Sequence, residues 1–165
     1  MTILWILLTA LATLGYDAPD TWIPEEAPSG MRVAQWIAPG DDGAEAAEVV
    51  IFFFGPGDGG SAEANLDRWM GQFTQPDGTP TRDRAKISNL HVNGLALTVL
   101  DVQGTYASSV RPGVAEPHEA ADYRMVAVVV EGEGGPWFVR LLGPASSVEK
   151  HRQVFDAFLK TLRLE

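Results

Sequence analysis

A glycine-rich stretch between two apolar segments offers the first possibility of chemistry. Gly55-Pro-Gly-Asp-Gly-Gly60-Ser61 sets two glycines five residues apart and follows them with a hydroxyl. That resembles a phosphate-binding loop, except that such a loop needs a lysine to reach the outer phosphates. No lysine is present, and Asp58 places a negative charge there instead. The stretch therefore reads as a strand-to-helix connection, with Ser61 as N-cap and Glu63 in the first helical turn. Asp58, Gly59, Gly60 and Ser61 stay as loop candidates, because free N–H groups at a helix start can meet a small anion or carboxylate.

The histidines, His91, His118 and His151, show neither H-x-H nor H-x-x-x-H spacing, so they make no recognisable zinc site. His91 and His151 read as structural. Glu116, His118, Glu119 and Asp122 could gather oxygens around a cation, but a solvated acidic loop is the reading preferred. Ser108-Ser109 and Ser146-Ser147 lack the G-x-S-x-G context of a hydrolase nucleophile. Paired carboxylates such as Asp41-Asp42 fall in a turn. No catalytic residue and no metal ligand is assigned, and no cofactor is expected. The more informative group is Asn65, Arg68 and Gln72, spaced i, i+3 and i+7, with Trp69 beside Arg68. Arg and Trp are enriched where partners bind, so these four are the candidate binding residues.

The elements that must position them follow from pattern. Ala62 to about Gln72 predicts a helix whose apolar stripe is Leu66, Trp69, Met70 and Phe73. Met31–Ala38 reads as a strand. Glu48–Phe54 is apolar on both alternating faces and predicts a central strand covered on both sides. Lys86–Val92 and Leu95–Gln103 flank Asn93-Gly94, a strong hairpin signal. Tyr123–Val130 and Trp137–Leu142 predict a second hairpin. Ser146-Ser-Val-Glu149 reads as a capping box opening a last helix, with Phe155, Phe158, Leu159 and Leu162 on its apolar side. Asp17–Gly30 is proline-rich and irregular, with Trp22 and Ile23 as expected anchors into the core, and Ala107–Asp122 is a polar loop. The order β, β, α, hairpin, hairpin, α predicts an α+β domain with a central antiparallel sheet of about six strands flanked by helices.

Composition sets outer limits. The 165 residues carry 22 acidic and 12 basic side chains, a net charge of −10, with 45% hydrophobic residues. This suits one globular domain and argues against nucleic acid, which needs clustered basic residues. Cysteine is absent, which removes disulfides and thiolate chemistry. Ile3–Leu14 is an apolar run of 12 residues, too short for the ~20 of a membrane-spanning helix. With Ala10-Leu11-Ala12 it reads as a signal peptide over residues 1–12, although no basic side chain precedes it. The single domain then spans 13–165, exported, with no integral membrane span.

The segment GGSAEANLDRWMGQF, residues 59–73, resembles the G-G-S-x-x-A-N-x-x-R-W-x-x-Q-F motif of a group of small bacterial exported proteins. Tyr16-Asp-Ala-Pro19, Met31-Arg32-Val-Ala34-Gln35, Gly135-Pro136-Trp137-Phe138 and Leu142-Gly143-Pro144 agree in order. The layout of that group is similar to the PsbP-like fold, an α/β/α sandwich shared by an extrinsic subunit of photosystem II and a Ran-binding import factor. The resemblance implies a binding or assembly protein and transfers no particular partner. The expected function is a non-catalytic binding or accessory module of the cell envelope with a protein partner. The alternative is a small-ligand or cation-binding protein, or an enzyme, with a pocket between the first helix and the 107–122 loop.

Overall fold

The computed structural model describes residues 12–28, 30–107 and 119–165. Its strands are β1 (Leu14–Gly15), β2 (Ile23–Glu25), β3 (Arg32–Ala38), β4 (Ala47–Phe52), β5 (Phe73–Thr74), β6 (Lys86–Val92), β7 (Leu95–Ala107), β8 (Glu119–Glu131), β9 (Trp137–Pro144) and β10 (Arg163–Leu164). The helices are α1 (Ala62–Met70), α2 (Thr81–Arg84) and α3 (Ala145–Leu159). The protein is an α+β domain built on an eight-stranded antiparallel sheet, ordered β2-β3-β4-β9-β8-β7-β5, with β6 also on β7. That corrects the expected six strands. The extra strands β2 and β5 have three and two residues, too few for an alternating pattern to declare itself.

Alternation divides the core in two. On β4, Val49 and Ile51 join Val126, Val128 and Val130 of β8 and Val139 and Leu141 of β9 against Val148, Phe155 and Phe158 of α3. On the opposite face, Met125, Ala127, Val129 and Phe138 pack against Leu66, Trp69 and Met70 of α1. The β6–β7 hairpin forms as expected: Asn93 and Gly94 have φ of 48° and 82°, the left-handed pair a two-residue turn requires. The Asn93 amide then donates to the Leu162 carbonyl at 2.9 Å, tying the turn to the chain leaving α3. The second hairpin, β8–β9, also forms, with Val130 opposite Trp137.

Several local expectations are corrected. No capping box opens α3; Pro144 precedes it, and the Ser147 hydroxyl donates instead to the Glu45 carbonyl at 2.6 Å. Asp17–Gly30 contains β2, and Ile23 is exposed while Trp22 is buried. Trp22 donates from Nε1 to His151 Nδ1 at 3.2 Å, and His151 Nε2 meets the Pro39 carbonyl at 2.9 Å. Both contacts are satisfied by the neutral imidazole with its proton on Nε2. The polar loop is shorter than Ala107–Asp122, because β7 runs to Ala107 and β8 begins at Glu119. Residues 108–118, with Glu116 and His118, lie outside the described residues, as do residues 1–11 of the apolar leading run. The end of that run belongs to the domain: Leu14 is buried and pairs with Leu164.

Candidate functional site

The two helices cover the sheet unequally. Helix α3 has 15 residues and α1 has nine, or about 22 Å against about 14 Å at 1.5 Å per residue. A sheet this wide measures about 30 Å across its strands. Helix α1 packs over β7 and β8 and reaches β9 at Phe138, leaving Phe52 of β4 and Arg140 of β9 beside its flank. Between the flank of α1 and these strands lies a cleft of about 490 Å³.

Its walls are aromatic. Phe52 and Phe54 lie 6.4 Å apart with parallel rings, Phe54 meets Phe138 at 5.6 Å, and Phe138 meets Trp69 at 6.3 Å. Its polar groups are Arg68, Gln72 and Arg140. Arg140 is in β9, on the α1 side by alternation with Val139 and Leu141, with Val50 and Ala127 as its cross-strand neighbours. Neither side chain offers a hydrogen-bond acceptor. Its guanidinium lies 5.3 Å from the Phe52 ring centre, with Arg32 at 5.4 Å from the same ring. Arg140 Nε is buried without a hydrogen-bond partner, and so is Gln72 Oε1. Burial pulls the Arg140 pKa below that of an ordinary guanidinium; Tyr106 and Glu48 oppose the shift, while Arg32 and Arg68 add to it. Glu48, the nearby acid, is already engaged by Arg32 at 2.8 Å.

Of the residues expected at the site, Arg68, Trp69 and Gln72 line this cleft and Asn65 does not. Asn65 is corrected from an exposed contact residue to a buried one, 2% exposed. Its amide donates to the Gly59 and Ser61 carbonyls at 2.8 and 2.9 Å, and its Oδ1 accepts from Arg68. It thereby sets the position of Arg68, whose guanidinium sits 5.9 Å from the Trp69 ring. The loop candidates lie apart from this cleft. Gly60 and Ser61 face a separate, shallower depression with Glu131 and Pro136, and Asp58 is in the exposed turn closed by its N–H on the Gly55 carbonyl. Gly59 acts from behind: its φ is +95°, and a Cβ there would stand 2.5 Å from Phe138. Ser61 accepts from the Ala64 N–H at 3.1 Å, the expected cap. The cleft opens toward β4 and β9, and no described residue of the 107–122 stretch lines it.

Of the acidic loop, Asp122 accepts from Gln103 at 2.9 Å, and the described residues contain no group of three or more His, Asp or Glu side chains able to hold a metal. His91 is exposed on β6. Sequence reasoning missed Arg140, Phe52, Phe54 and Phe138. One signal was present: Arg140 is the single charge inside WFVRLL, a run that otherwise reads as buried strand.

The molecule is thus an α+β sandwich with one incompletely covered sheet face and an arginine-bearing aromatic cleft upon it. No protein-family model matches the chain, and no curated protein matches it. Among solved structures, it is similar to a crystal structure of a protein of unknown function from Pseudomonas aeruginosa, described as a candidate regulator. The TM-score is 0.51 and the identity 16%, over 92% of this chain and 96% of that one. This is a likeness of fold alone. No helix among the described residues is long and apolar enough to cross a membrane.

Proposed function

We propose that this protein is an exported, non-catalytic binding module of PsbP-like architecture, and that its binding site is the cleft beside α1. The observation that carries this reading is the cleft's lining. Four aromatic rings, two guanidiniums and one carboxamide surround it, and none of these is a nucleophile or a general base at neutral pH. Concave, mostly apolar sites with a few placed polar groups take small organic ligands. With Asn65 buried, the polar stripe expected to meet a protein partner reduces to Arg68 and Gln72, both of which line the cleft. That favours a small ligand over a protein docked on the helix. The PsbP-like layout is supported by the antiparallel sheet held between helices. Export is supported by the apolar run Ile3–Leu14 and by the resemblance carried by residues 59–73.

Native mass spectrometry of the protein from its own host tests the reading. A small molecule should co-purify, and Gly71→Trp should displace it. Gly71 lines the cleft at a helical φ of −64°, so a side chain there fills the space without backbone strain. Arg68→Ala should weaken retention while changing stability by no more than ~0.5 kcal/mol, as for exposed positions. An empty cleft together with a stoichiometric protein partner from envelope extract would overturn it.

A further inference from the structure

Of the ten ion pairs of the described residues, one is made by Lys150 and the other nine engage Arg32, Arg82, Arg84, Arg124, Arg152 and Arg163 with carboxylates. Arg68 and Arg140 are the two described arginines without one, and both line the same cleft. This happens in a chain with 22 acidic residues to 12 basic, where a carboxylate partner is easy to supply. A buried charge left unpaired costs stability. Arg140 bears part of that cost on a central strand: the residue is half-buried, its Nε is enclosed without a partner, and neither cross-strand neighbour has a side-chain acceptor.

Resting on the reading of the cleft as a binding site, we propose that its ligand is an aromatic carboxylate whose anionic group is held by Arg140. The rings of Phe52, Phe54, Phe138 and Trp69 provide surfaces on which a flat body packs. The guanidinium fork matches the two oxygens of a carboxylate. A carboxylate's two oxygens are met by this one fork, whereas a phosphate's further oxygens would also have to draw on Arg68 or Gln72. The Gln72 carboxamide, which lines the cleft, is placed to hydrogen-bond a ring hydroxyl or N–H of the ligand. Arg68, fixed by Asn65, adds positive potential at the cleft's flank.

The test is calorimetric titration of the intact protein with phenylacetate, 4-hydroxyphenylacetate, 3-phenylpropanoate and indole-3-acetate, each beside its neutral amide. At least one acid should bind tenfold or more tighter than its amide, as expected for a charge-assisted pair. The 4-hydroxy compound should bind more tightly than phenylacetate. Arg140→Met should abolish the preference for the acid while the thermal midpoint without ligand is kept or raised, because a half-buried guanidinium with no ion-pair partner among the described residues has been removed. Should Arg140→Met fail to fold, Arg140→Gln serves the same comparison, and the acid-to-amide ratio of the unaltered protein decides by itself. Equal binding of every acid and its amide, or an acid preference that survives loss of Arg140, overturns the proposal. Binding of amides alone overturns the carboxylate and leaves the cleft as a binding site. Failure of both series, with no co-purifying molecule, overturns the cleft reading too.

Discussion

Asn65 is buried because its carboxamide closes three contacts, two to carbonyls of the Gly59–Ser61 turn and one to Arg68. An alanine there would leave two carbonyls short of a donor and the arginine without its brace. Beside it, Trp69 does two things at once. Its ring is 5% exposed and fills the core under α1, and one edge forms the cleft wall against Phe138. Trp69→Ala should therefore cost ~3–5 kcal/mol, as removal of a large core aromatic does, and urea denaturation measures it. An unchanged midpoint would mean that this ring contributes nothing to the core of α1.

Between elements, a pH-sensitive contact joins α3 to β7 and β8. Asp101 of β7 takes a two-pronged pair from Arg124 of β8, Nε and Nη2 both at 2.8 Å, and Arg152 of α3 approaches at 3.5 Å. Arg124 also reaches Glu149 of α3. Burial raises the Asp101 pKa, but the hydrogen bonds and charges of Arg124 and Arg152 outweigh it and hold the carboxyl below its usual range. A carboxylate depressed in the folded state stabilises fully above its unfolded pKa of about 3.9. That stabilisation is lost as the pH falls through the folded value. Asp101→Asn should cost about 1.5–3 kcal/mol at pH 7, as for hydrogen bonds to charged groups, and should flatten the loss of stability below pH ~4. Thermal midpoints of both proteins from pH 7 to pH 2 supply the measurement. Parallel curves would show that this cluster is not the acid-sensitive joint.

At the scale of the whole molecule, the chain closes on itself beside the expected leader boundary. Thr13 and Glu165 exchange backbone hydrogen bonds at 3.0 and 2.9 Å, and Leu14 pairs with Leu164. Loss of residues 1–12 would leave that pairing intact. Intact-mass analysis of the protein from its host should find a mature chain lacking residues 1–12, and a full-length cytosolic species as the main form would contradict export. The cleft is likewise a property of the whole. It exists because a nine-residue helix covers less of an eight-stranded sheet than the 15-residue helix opposite.

What the sequence by itself determined is what short-range patterning can encode. Asn93-Gly94 specified a hairpin because its two left-handed residues admit few other turns. The stripe Leu66, Trp69 and Met70 specified the buried side of α1, although Phe73, expected on the same helix, lies in β5; Glu48–Phe54 specified a central strand, which ends at Phe52 and is covered by α3 on one face while the other meets the cleft. Elements of two to four residues, β1, β2, β5, β10 and α2, were not legible, since they are held by neighbours and carry no period of their own. Asn65 and Arg68 look alike on a helical wheel, and only the fold of the Gly59–Ser61 turn over the helix start buried one and left the other out. Arg140 was visible as a lone charge in an apolar strand. That it has no acid beside it depends on Val50 and Ala127 lying across from it and on Glu48 being taken by Arg32. Those neighbours come from strands many residues apart, so the tertiary structure alone decided that this charge faces a cleft with no ion-pair partner among the described residues.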